Sequence, residues 1–123
     1  MLALNAQTKI YLAVAPADMR KHFDSLWSLA EQTLRADPRQ GALFVFSNKP
    51  RNRLKILYWD GTGVWVLAKR LEKGVFNWPR GSDAARLALA PEALTMLLAG
   101  IDLKDGARRA WYEARDSGAD RNI

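Results

Sequence analysis

The run Arg53-Leu54-Lys55-Ile56-Leu57-Tyr58-Trp59-Asp60-Gly61-Thr62-Gly63-Val64-Trp65-Val66-Leu67-Ala68-Lys69-Arg70 places two stretches rich in aromatic and branched residues on either side of a turn. Asp60-Gly61 supports the positive φ angles that hairpins require, so Arg53 to Trp59 and Val64 to Leu71 are predicted to pair as antiparallel strands. With Trp59 opposite Val64, one face of the hairpin shows Arg53, Lys55, Leu57 and Trp59 with Val64, Val66, Ala68 and Arg70. The other shows Leu54, Ile56, Tyr58, Trp65 and Leu67, apolar enough to be core. A three-residue turn would slip the register and re-pair the faces.

Working outward, Leu43-Phe44-Val45-Phe46 reads as a strand that reaches the hairpin through the turn Ser47-Asn48-Lys49-Pro50-Arg51-Asn52. Before it, Met19, Phe23, Leu26, Ala30 and Leu34 form one helical stripe over about Asp18 to Ala36. Asp18 is a cap or first-turn residue there, and Asp37-Pro38 ends the helix. Lys9 to Ala15 alternates as a half-buried strand and stops at Pro16. After the hairpin, Val75-Phe76-Asn77-Trp78 reads as a short strand ended by Pro79, and Arg86 to Leu89 as a weaker one. Pro91 opens a helix from Glu92 to Ala99, closed by Gly100. The expected fold is α+β: an antiparallel β-meander of five to six strands with one helix before it and one after. Residues 1–105 form a single compact domain. Residues 106–123 form a polar C-terminal tail, either a short helix or a loose end.

Composition bounds the function. The 123 residues carry 49% hydrophobic and 26% charged side chains, which argues against disorder. Cysteine is absent, which excludes disulfides, thiolate metal sites and cysteine nucleophiles. No long apolar run or signal-peptide pattern is present, which predicts a cytoplasmic protein. The net charge is +6, and its placement is informative. Lys49, Arg51, Arg53, Lys55, Lys69, Arg70, Lys73 and Arg80 face only Asp60 and Glu72 between positions 49 and 80, so that segment holds the whole excess. A concentrated surplus points to a polyanion partner.

No enzymatic constellation stands out. His22 is the single histidine, and Asp18 would share its helix face at a spacing of four. Two ligands without a third rarely hold a metal, so His22 reads as a surface residue near a helix start. The acidic residues are scattered, and neither Gly-x-Ser-x-Gly nor a phosphate-binding loop occurs. The expectation is a non-enzyme without catalytic residues, metal or cofactor.

Several segments, in order, resemble a known family. Ile10-Tyr11-Leu12-Ala13, Asp18-Met19-Arg20-Lys21, Leu43-Phe44-Val45-Phe46, Arg53 to Gly63, Ala68 to Gly74 and Phe76-Asn77-Trp78-Pro79 are similar to the accessory protein family, TnpB, of the insertion sequence 66 elements. It is unrelated to the RNA-guided nuclease that shares the name. The likeness spans roughly residues 10 to 79, with an echo at Leu97 to Asp102. Ala17, His22 and Ser25 depart from the family's usual Thr, Ser and Gly. The resemblance implies a protein encoded beside a separate transposase, needed for efficient transposition and without chemistry of its own.

The candidate nucleic-acid-binding residues are Lys49, Arg51, Arg53, Lys55, Trp59, Lys69, Arg70 and Lys73. A basic two-stranded ribbon can enter a major groove, and arginine beside an exposed aromatic can serve single strands. On that reading the partners are DNA and the element's transposase. In a second reading the chain docks onto the transposase without binding DNA, through aromatics such as Trp78, Trp111 and Tyr112. In a third, Trp59 caps the core and the basic residues only solvate a sheet face.

Overall fold

A computed structural model describes residues 5–80 and 82–101. The elements run β1 (Ile10–Ala13), α1 (Phe23–Gln32), a 3-10 turn (Pro38–Gln40), β2 (Leu43–Ser47), β3 (Arg53–Trp59), β4 (Val64–Arg70), β5 (Arg86–Leu89) and α2 (Pro91–Ala99). The five strands form one sheet in the order β4-β3-β2-β1-β5.

The class is α+β, but the sheet is mixed. β1 pairs parallel with β2, Ile10 opposite Leu43 and Leu12 opposite Val45, while every other neighbour is antiparallel. The expected pure meander is therefore corrected. Its cause is α1. A ten-residue helix travels about 15 Å, enough to carry the chain back along the sheet, so β2 starts at the same end as β1. The helix joins two parallel strands as a crossover instead of standing before a meander.

Both faces of the sheet are covered. Leu43, Val45, Leu54 and Ile56 pack with Leu94 and Leu97 of α2, and with Phe76 and Trp78 from the chain after β4. Phe44, Phe46 and Leu57 pack on the opposite face with Leu26, Ala30 and Leu34. β2 is buried on both sides throughout, which explains its unbroken apolar run. β1 is likewise sandwiched, Ile10 and Leu12 on the α2 side and Ala13 on the α1 side, so it is not the half-buried strand its alternation suggested.

Local signals explain most boundaries, and departures have local causes. Asp18 does not cap α1. Its carboxylate takes the Arg20 N–H at 2.9 Å and the Arg20 guanidinium at 2.7 Å, shaping a turn ahead of the helix. The helix begins only at Phe23, with Ser25 Oγ accepting from the His22 N–H at 2.9 Å. At the far end Arg35 takes a positive φ of 59°, which closes the helix before Asp37-Pro38. Val75-Phe76-Asn77-Trp78 is not a strand: it makes one bridge, Val75 to Ile101, and is otherwise irregular. Its strand-like alternation comes from burying Phe76 and Trp78 under the sheet. The tail beyond residue 105 lies outside the described residues.

The hairpin turn holds four residues and pairs Trp59 with Val64. Only Gly61 needs glycine, at φ +101°, whereas Gly63 has an ordinary φ and open space around its missing side chain. Gly61→Val is expected to lose about 1–3 kcal/mol of stability, and Gly63→Ala to melt within a degree or two of the wild type. Thermal denaturation by circular dichroism separates the two, and equal losses would contradict this turn geometry.

Candidate nucleic-acid interface

The hairpin register sets which basic side chains meet. Arg53 stands opposite Arg70, Lys55 opposite Ala68 and Leu54 opposite Lys69. The turn bonds locate the pleat: Asp60 N–H reaches the Gly63 carbonyl at 3.0 Å, and Leu71 N–H the Asn52 carbonyl at 2.9 Å. By alternation, Arg53 and Arg70 form a non-hydrogen-bonded pair, the closer of the two kinds. Like charges directly opposite one another destabilise a sheet. Both side chains are exposed, and neither forms a hydrogen bond or ion pair with the described residues. They border a groove of about 350 Å³ with Met19, Leu54, Lys55, Ala68 and Lys69, and no carboxylate lines it.

Three of the other cations are engaged in the fold. Arg51 has φ 62° in the turn between β2 and β3. That turn is held by Asn48, whose side-chain oxygen accepts from the N–H groups of Asn52 and Arg53, both at 3.1 Å. The Arg51 guanidinium lies 5.0 Å from the Trp78 ring centre and donates to the Val14 carbonyl at 3.1 Å. Its second terminal nitrogen is buried and has no hydrogen-bond partner among the described residues. Burial pushes this guanidinium below its usual pKa, though an arginine remains charged at neutral pH. Trp78 in turn donates its indole N–H to the Ala13 carbonyl at 3.0 Å and is itself buried, so it is no exposed docking anchor. Lys55 donates to the Lys21 carbonyl at 2.7 Å, fastening the segment ahead of α1, and Lys69 donates to the Leu98 carbonyl at 2.8 Å near the end of α2.

Trp59 is half-buried. It meets Trp27 of α1 edge to face, ring centres 5.8 Å apart, and the Arg39 guanidinium lies 5.3 Å from each ring. It packs against Trp27 and Arg39 on the α1 side of the sheet instead of standing free beside the basic side chains. The other hairpin face differs from expectation too. Leu54 and Ile56 are buried, but Trp65 is 49% exposed and Leu67 36%, because α2 covers β3 and stops short of β4. Lys49 and Lys73 are exposed, so the seven basic candidates divide into structural cations and free ones, with Trp59 apart from both. Arg39 and Met19 were missed by the sequence reading. Both lie far from the hairpin in the chain, and only the helix crossover brings them to it. Trp111 and Tyr112 lie outside the described residues.

A basic α+β domain with an acid-free groove between paired strands is thus the class the geometry defines. The chain belongs to the family of IS66 Orf2 like proteins, whose sequence profile matches residues 8–108, and so is a transposition-associated accessory protein of such insertion sequences. It is similar to two uncharacterized proteins of Sinorhizobium fredii (strain NBRC 101917 / NGR234). With y4jC it shares 38% identity over 83% of this chain and 86% of the relative. With y4hO it shares 36% identity over 83% and 88%. No solved structure matches the chain. Among the described residues, no helix is long and apolar enough to cross a membrane.

Arg51→Gln is expected to cost about 1–3 kcal/mol through the lost ring contact and hydrogen bond, read as a lower denaturation midpoint. Acid should act through the hairpin turn. The Asp60 carboxylate is held well below its ordinary pKa by the Thr62 N–H, then by the Trp65 indole and the Gly63 N–H. A carboxylate with a depressed folded pKa stabilises above its unfolded value, here near 3.8, and that contribution is lost as pH falls through the folded value. Thermal midpoints should therefore drop below pH 3.8 in the wild type and drop less steeply in Asp60→Asn.

Proposed function

We propose that the chain assists a separate transposase by contacting DNA through the sugar-phosphate backbone, with Arg53 and Arg70 at the centre of the contact. The observation that carries this reading is their pairing: two arginines directly opposite on adjacent strands, in a groove with no carboxylate lining it among the described residues. Such a pair is unfavourable by itself, and an anion between the two would relieve it. Guanidinium forks suit phosphate oxygens geometrically. The exposed Lys49 and Lys73 extend the positive field on either side. Lys55 shares the face of the two arginines and keeps donors beyond the one bound to the Lys21 carbonyl, whereas Lys69 projects to the α2 side. Arg51 and Trp59 serve the fold in this reading, not the DNA.

Phosphate contacts position a protein but carry no base information directly. The contact is therefore expected to tolerate changes of DNA sequence and to weaken with salt. The chain itself supplies no catalysis in this reading, and purified protein should neither cleave nor join strands with added magnesium or manganese. Such a protein works in the compartment that holds the element's DNA, the bacterial cytoplasm.

The test is a salt titration of duplex binding at matched protein concentration. Each phosphate contact contributes about 0.9 to the slope of log affinity against log salt. Arg53→Gln/Arg70→Gln should therefore lower the slope by about 1.8, while Arg51→Gln leaves it unchanged in whatever fraction remains folded. Equal slopes for the wild type and the double variant would refute the DNA contact. A salt-resistant complex with the transposase, formed equally well by the double variant, would favour the docking module.

A further inference from the structure

β4 is an edge strand, and among the described residues nothing pairs with its outer side. Because Leu71 bonds toward Asn52, the alternation turns the backbone groups of Trp65, Leu67 and Lys69 toward β3. Those of Val64, Val66, Ala68 and Arg70 point away from the sheet. An edge of seven residues with open backbone groups is a template for another strand. Beside it stand Trp65 and Leu67, 49% and 36% exposed.

We propose that this edge pairs with β4 of a second copy of the chain, antiparallel and centred on Leu67, to continue the sheet through a symmetric dimer. Antiparallel pairing between identical strands is self-complementary, as a two-fold interface must be. Centring on Leu67 lets all of Val64–Arg70 take part. It places Val66 opposite Ala68 and Val64 opposite Arg70 as hydrogen-bonded pairs, so each outward backbone group finds a partner. On the α2 side Leu67 meets Leu67 of the second copy, and Trp65 meets Lys69, whose aliphatic stem covers the exposed indole.

Charge favours the same arrangement. The strand is basic at one end, with Lys69, Arg70 and then Lys73, and acidic at the other, where Asp60 bonds the Trp65 indole N–H at 2.8 Å. Antiparallel pairing brings the basic end of each copy to the acidic end of the other. A slip toward the end of the strand, centred on Lys69, would set like charges face to face. At the opposite edge of the sheet, β5 has four residues and offers a shorter template. The proposal rests on this edge alone and is independent of the DNA contact.

The chain has no cysteine, so single replacements report directly. Across the two-fold axis Leu67 would be a non-hydrogen-bonded pair with itself, whose side chains approach closely enough for a disulfide. Full-length Leu67→Cys should therefore oxidise to a covalent dimer, while Trp65→Cys, which faces Lys69, should remain largely uncross-linked. In sedimentation equilibrium the wild type should be dimeric and Ala68→Pro monomeric. The Ala68 N–H points outward, so proline there spares the β3–β4 ladder. A monomeric wild type, a dimeric and folded Ala68→Pro, or equal cross-linking of the two cysteine variants would overturn the proposal. Should Ala68→Pro misfold, the cross-linking comparison decides.

Discussion

The Asp60 carboxylate accepts hydrogen bonds from the Thr62 N–H at 2.8 Å, the Gly63 N–H at 2.9 Å and the Trp65 indole N–H at 2.8 Å. This turn holds the register of β3 on β4, and the register decides almost everything of functional interest. A one-residue slip would move every side chain of one strand to the other face. Arg53 would no longer oppose Arg70, and the groove between them would not exist. Leu57 beside Val66 under α1, and Ile56 beside Leu67 on the opposite side, follow from the same pairing.

Around that hairpin, the fold uses several of its cations as fasteners. Arg51 ties the β2–β3 turn to the end of β1, Lys55 holds the approach to α1, and Lys69 reaches the end of α2. Each donates to a backbone carbonyl. A cation spent this way is poorly placed to follow a phosphate backbone. The positive surplus between residues 49 and 80 is thus narrower as a surface than as a sequence. Its free part concentrates where β3 and β4 leave the turn furthest behind, at Arg53 and Arg70.

What the sequence made legible follows the range of the underlying forces. β3, β4 and their four-residue turn, the weak strand at Arg86–Leu89 and the helix Pro91–Ala99 with its Gly100 cap are set by neighbours in the chain, through turn chemistry, capping and alternation. The parallel pairing of β1 with β2 is set by where a helix returns the chain, and alternation cannot show direction. Trp65 and Leu67 looked like core because Leu54 and Ile56 on the same face are core. Whether a face is covered depends on how far α2 extends across it, and nothing in the hairpin encodes that. Arg51 and Arg53 are two positions apart and chemically identical, yet one lies against Trp78 and the other faces solvent. Arg51 stands at positive φ in the turn held by Asn48, whereas Arg53 opens β3.

In the proposed DNA contact, Arg53 and Arg70 meet the polyanion while Arg51 does not. Arginine side-chain Nε–Hε resonances, followed by NMR as duplex DNA is added, read this difference directly. The Arg53 and Arg70 signals should shift together and saturate together, and the Arg51 signal should stay in place. Movement of Arg51 ahead of the other two, or no movement of any of the three at low salt, would contradict the account.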